Sequence, residues 1–129
     1  DNINENSKIS VPRNYPIDSK GLTGCLSLIN MDLKNISITA KNSSCEDTVN
    51  FINSSGTINK VIVQNSFSDA LDVDYSNLKF NYIEVSSALN DCTDFSSGQY
   101  ELLRLKLNNC GDKGVSIGEK STVKIKTIG

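Results

Sequence analysis

Asp47-Thr48-Val49-Asn50-Phe51, Asp69-Ala70-Leu71-Asp72-Val73-Asp74, Asp91-Cys92-Thr93-Asp94-Phe95 and Asp112-Lys113-Gly114-Val115-Ser116-Ile117 are four versions of one phrase. Their leading aspartates stand 22, 22 and 21 residues apart, and the last version needs a one-residue slip between Asp112 and Val115. The alternating pairs Val61/Val63, Ile83/Val85 and Leu105/Leu107 keep the same step of 22. Leu78/Phe80, Tyr100/Leu102 and Val123/Ile125 form a third set. Apolar residues two apart lie on one face of a strand, so each unit reads as three short strands separated by Asn, Ser, Gly or Asp turns.

One such unit is too short to bury its apolar side chains alone; stacked units close a continuous core, with like residues on like at about 4.8 Å per layer. The predicted fold is therefore all-β: a single-domain parallel β-helix, right-handed by the rule for parallel crossovers. About five coils of about 22 residues fit between Gly24 and Ile128, a stack roughly 24 Å tall. A leucine-rich horseshoe has a similar period, and Leu102-Leu103-Arg104-Leu105-Lys106-Leu107 sounds like one, but the other units lack the leucines and none has a helical period. An ordinary β-sandwich would leave the fixed step unexplained.

Composition agrees. The 129 residues hold 16 Asn, 18 Ser and 28 Ile, Val or Thr. β-branched residues spaced by turn formers suit short strands, and the strict alternation argues against a disordered polar chain. The net charge of −2 excludes a general nucleic-acid binder. The chain has no His, which removes His-based acid/base chemistry and His-ligated zinc. No apolar run approaches the roughly 20 residues of a membrane-spanning helix. Residues 1–21 break the repeat, hold both prolines and read as a lead-in or cap, whereas 22–129 form the solenoid. Asp1 reads as a processed end or a cut boundary. The strand pattern runs to Ile128 without a polar cap, which points to a longer protein or to an end that stacks on another copy.

Cys25, Cys45, Cys92 and Cys110 are separated by 20, 47 and 18 residues, close to one, two and one coils. The geometric expectation is Cys25–Cys45 and Cys92–Cys110, each closing a loop worth about 3 kcal/mol; four buried thiols are the other reading. No Cys-x2–4-Cys pair supports zinc. If bridged, the chain belongs to an oxidising place: secreted, cell-surface or periplasmic.

Asp69, Asp91 and Asp112 are expected to stack in one row, with Asp72 and Asp94 in the row beside it and Asp74 nearby. Asp72, Asp74 and Asp94 alternate with core positions and should face outward. Stacked carboxylates repel unless a cation or turn N–H groups compensate. The edge thus admits a Ca2+ ion, but turn capping is the simpler role for Asp69, Asp91 and Asp112. Paired carboxylates also raise the question of glycoside cleavage. The turns are minimal and Arg104 is the single Arg beyond the lead-in, so no catalytic residue is assigned. Tyr75, Tyr82 and Tyr100 fall at or beside core positions, which leaves no groove aromatics for a glycan. Gly118-Glu119-Lys120-Ser121 interrupts a phosphate loop, Asp72-Val73-Asp74 matches only weakly the metal-binding pair of sugar transferases, and the sequons at Asn35, Asn42 and Asn53 are expected by chance.

Gly24-Cys25-Leu26-Ser27, Cys45-Glu46-Asp47-Thr48-Val49-Asn50, Asn90-Asp91-Cys92-Thr93-Asp94-Phe95 and, most specifically, Cys110-Gly111-Asp112-Lys113-Gly114 with Gly118-Glu119-Lys120-Ser121 resemble bacterial right-handed parallel β-helix segments of large envelope or secreted proteins, some of them similar to spore-coat kinase-like proteins. The resemblance covers about residues 22–129 and implies the fold, a surface location and a solenoid that continues; no kinase motif accompanies it. The functional expectation is a non-catalytic scaffold, surface module or filament subunit that stacks end to end on copies of itself or on the rest of a longer chain. The alternative is a carbohydrate-binding or carbohydrate-cleaving module on the Asp-rich edge.

Overall fold

A computed structural model describes residues 2–3, 8–11 and 24–128. It contains twelve strands and, among the described residues, no helix: β1 (Asn2–Ile3), β2 (Lys8–Val11), β3 (Gly24–Ile29), β4 (Asp32–Ser43), β5 (Asp47–Ile52), β6 (Ser55–Ser66), β7 (Asp69–Asp74), β8 (Asn77–Ala88), β9 (Thr93–Ser96), β10 (Gly98–Cys110), β11 (Val115–Ile117) and β12 (Ser121–Ile128). Short and long strands alternate from β3 onward, and every pairing is parallel. The short strands form one sheet in the order β11-β9-β7-β5-β3; the long ones form the other, β4-β6-β8-β10-β12, with β1 and β2 both on the free edge of β4. The chain is a parallel β-solenoid of about five coils.

The register confirms the repeat residue by residue. Val63 pairs with Val85 and Val85 with Leu107; Phe51 pairs with Val73 and Val73 with Phe95. Each column is one position of the repeat seen from above. The interior is filled from both sheets, with Phe51, Phe80, Phe95, Ile83 and Leu105 fully buried. Phe51, Phe80, Phe95 and Tyr100 step down the core as a chain of ring contacts, with centroids 5.7, 6.0 and 5.0 Å apart.

Hydrogen bonding divides each coil into two strands where the sequence pattern gives three segments. Leu78/Phe80 and Ile83/Val85 lie in the same strand, β8. Between them Asn81 and Tyr82 both face outward, so alternation slips by one and the strand turns a corner while its ladder continues. The three faces are real; the third corner disturbs the ladder without ending the strand, with Asn81 and Tyr82 outside the β8–β10 register and an irregularity in β4 between Lys34 and Ser37.

The other two corners share a backbone device. Asn30, Asn53, Tyr75, Ser97 and Lys120 follow the short strands, and each has φ between 45 and 57°. Asn42, Asn65, Ser87 and Asn109 near the ends of the long strands have φ between 52 and 76°. Asn occupies most of these left-handed positions because its short amide tolerates that conformation best among non-glycine residues. The amides also join the coils: Asn53 donates to Asn30 (2.6 Å) and Asn65 to Asn42 (2.8 Å). Five of the chain's 16 asparagines are thereby explained.

Candidate functional site

Both cysteine pairs are bonded as disulfides, Cys25–Cys45 and Cys92–Cys110, with Cα atoms 5.5 and 5.3 Å apart. The second belongs to a column of coil-closing contacts between residues 18 apart. Cys25 Sγ accepts a hydrogen bond from Ser43 Oγ (2.8 Å), the oxidised sulfur having no hydrogen to give. Thr48 Oγ1 and Ser66 Oγ meet at 2.8 Å one coil on. Ala70 and Ala88 hold the same positions in the next coil, both buried, and Cys92–Cys110 follow.

The acidic edge lies on the outer side of the short-strand sheet. Asp47 pairs with Asp69, and Asp69 Oδ1 accepts the Asp91 N–H at 3.0 Å and an Asn90 amide hydrogen at 2.8 Å. Asp91 Oδ1 in turn accepts the Lys113 N–H at 3.0 Å. These carboxylates cap the turn of the following coil. Asp112 stands outside this column: Lys113 takes the place below Asp91, because Val115 pairs with Thr93 and the slip falls after Asp112. Asp112 is exposed, 3.7 Å from Lys113 Nζ.

Beside this column run Ser27, Asn50, Asp72, Asp94 and Ser116, paired in that order. Asp72, Asp74 and Asp94 are half-buried rather than freely solvated. Ser96 Oγ donates to Asp74 Oδ1. The short strands carry no Lys or Arg to offset this charge. Burial, a hydrogen bond with Asp74 and repulsion from Asp47, Asp74 and Asp94 raise Asp72 to a pKa of about 9. Burial first, and neighbouring carboxylates second, also push up Asp94. Asp69 rises chiefly by burial, opposed by the Asp91 N–H. One carboxylate oxygen each from Asp69, Asp91 and Asp94 lies within 4.8 Å of the others. That span suits oxygens around one Ca2+ ion, but three such oxygens are at most half of its usual six to eight ligands.

The structure brings together two features that the residue pattern concealed. Ser54 Oγ accepts the Met31 N–H and donates to the Ile52 carbonyl; Ser76 Oγ accepts the Ser54 N–H and donates to the Asp74 carbonyl. In the next coil the equivalent residue is Gly98, and the hydroxyl of Tyr100 enters instead, accepting the Ser76 N–H and donating to the Ser96 carbonyl. Burial raises that hydroxyl to a pKa of about 12. The second feature is Tyr75. It lies at a corner and not at a core position, and the residue is 68% exposed. Two shallow cavities, of about 410 and 500 Å3, flank that corner and share Asn77. Recurrence of Asn30, Asn53 and Tyr75 at steps of 23 and 22 is the sequence signal that would have found this column.

Comparison with protein-family models, curated proteins and solved structures finds no match.

Proposed function

We propose that this chain is a non-catalytic structural module of a secreted or cell-surface protein, a disulfide-closed solenoid that extends by stacking rung on rung. The observation that carries this reading is the uncovered face below β12. That strand pairs with β10 along one edge, and no described residue pairs with the other. Ile117, in the column of Phe95, is 54% exposed, and Val115, Val123 and Ile125 are only partly buried. Unpaired backbone and inward-facing apolar side chains together form a template for a further parallel strand. A second copy supplies it, presenting the strands at its opposite end, where β1 and β2 line the outer edge of β4. The two disulfides fit an oxidising environment outside the cytosol.

Sedimentation velocity across a concentration series tests the assembly. The wild-type chain is expected to form concentration-dependent oligomers, and the pair Ile117→Lys with Val123→Lys to sediment as a folded monomer. A wild-type monomer at every concentration would refute stacking between copies.

A further inference from the structure

Tyr75 is the one aromatic residue in a column of left-handed corners that runs Asn30, Asn53, Tyr75, Ser97, Lys120. The two preceding coils place Asn at this corner, where Asn53 donates to Asn30 across the rung. Tyr75 holds the same left-handed backbone, φ 52°, without that ladder. A bulky residue in this region costs about 1 kcal/mol or more, and strain of this kind collects at functional positions. Its ring is nevertheless turned to solvent rather than buried.

The ring stands over a built recess. Tyr75 N–H bonds the Ser96 carbonyl and Ser97 N–H the Glu119 carbonyl, so Tyr75, Ser97 and Lys120 are successive rungs of one column. A small serine between a tyrosine and a lysine leaves a notch two rungs high, about 10 Å. Gly98 forms part of its wall by packing its backbone against the neighbouring rung; a Cβ there would lie 2.0 Å from the Ser76 carbonyl oxygen and 2.7 Å from the buried Tyr100 hydroxyl. Next to the notch, Asn77, Gln99 and Thr122 stack in register as an exposed column of hydrogen-bonding side chains. Beyond it stand Lys79, Glu101 and Lys124, with Lys79 and Glu101 paired at 3.8 Å. The two cavities adjoin at Asn77, which lines both.

We propose that this surface binds an oligosaccharide, with one pyranose ring stacked on Tyr75 inside the notch and the following units lying along the Asn77–Gln99–Thr122 column. A pyranose offers an apolar C–H face to an aromatic ring and hydroxyls to amides and charges, which is the division of chemistry seen here. The glycan therefore belongs at the Tyr75 corner and not on the acidic edge, where half-buried carboxylates already repel each other.

Isothermal titration of the full chain with chitohexaose, cellohexaose and hexagalacturonate tests the proposal. At least one of the three binds the wild-type chain. Tyr75→Trp retains binding, and Tyr75→Asn loses about tenfold or more, the equivalent of about 1.4 kcal/mol. Tyr75→Asn also melts at a higher temperature than the wild type, since the left-handed corner then carries the residue that suits it and the amide ladder extends. Lys120→Ala weakens binding severalfold. The proposal falls if none of the three sugars binds at about 1 mM, the weak end of specific recognition. It falls equally if Tyr75→Asn binds as well as the wild type, or if that variant melts lower.

Discussion

Asp72 shows how one side chain can set the pH response of the fold. It stands between Asn50 and Asp94 in its column, with Asp74 on the same strand, and is held protonated to about pH 9. In the unfolded chain it ionises near pH 4. Between those values the native state binds more protons at this site than the unfolded state, so stability falls as pH rises. Asp69 and Asp94, both shifted upward, add to the same trend. The thermal midpoint is therefore expected to be higher at pH 5 than at pH 8, the reverse of a protein whose carboxylates are salt-bridged. Asp72→Asn removes the ionising group and repeats the residue already present at Asn50. After discount for the partial exposure of the carboxyl, it should stabilise by about 1 kcal/mol at pH 8 and flatten the pH curve. Calorimetry of both chains at the two pH values decides it; a variant less stable than the wild type at pH 8 sinks the argument. The row of aspartates was legible because spacing alone places it, whereas the drop-out of Asp112 was not. A one-residue slip leaves the residue types intact and shows only when Lys113 N–H is found on Asp91.

Among the elements, corners and closures were harder to read than strands. Alternation is imposed by the pleat, so Val49/Phe51, Leu71/Val73, Ile83/Val85 and Thr93/Phe95 follow from the sequence as buried, whereas the burial of Thr48, Asn50 and Ala70 on the opposite parity does not. The left-handed φ of Asn42 or Asn65 leaves no such periodic trace, because Asn serves equally in turns, caps and exposed strand positions. The fusion of two segments into β8 was likewise hidden, since a corner that skips only one or two ladder pairs needs no breaker residue. Coil closure has its own grammar, with one contact between residues 18 apart satisfied by Cys25 and Ser43, Thr48 and Ser66, Ala70 and Ala88, or Cys92 and Cys110. Thr48 and Ser66 already place their side-chain oxygens 2.8 Å apart. Thr48→Cys combined with Ser66→Cys should form a third disulfide of the same span. The loop it closes corresponds to about 3 kcal/mol, or close to 10 °C in the thermal midpoint of a chain this size. Thiol titration and non-reducing peptide mapping would detect the bridge; free thiols at both positions after oxidation would show that the two closures are not equivalent.

At the scale of the molecule, a solenoid is nearly one-dimensional, each coil touching only its neighbours, so its stability approximates a sum of coil and interface contributions. This gives deletion a sharp meaning. Removing residues 69–90 joins Ser68 to Asp91 and takes out one coil of 22 residues. Asp91 then occupies the place of Asp69 under Asp47, Phe95 that of Val73 under Phe51, and Leu105 that of Ile83 under Val61. Neither disulfide crosses the excised segment, so each still closes its own coil. The shortened chain should fold cooperatively with Cys25–Cys45 and Cys92–Cys110 intact, shortened by one layer of about 4.8 Å. It should melt lower, for it loses one interface's worth of core, including the ring of Phe80 between Phe51 and Phe95. It should also lose Tyr75 and with it any glycan binding, while the face below β12 and the self-association it supports persist. Scattering profiles, disulfide mapping and sedimentation on the one variant separate these outcomes. Scrambled bridges or a non-cooperative melt would mean that the coils are not interchangeable layers, and that contacts beyond nearest neighbours hold the stack in register.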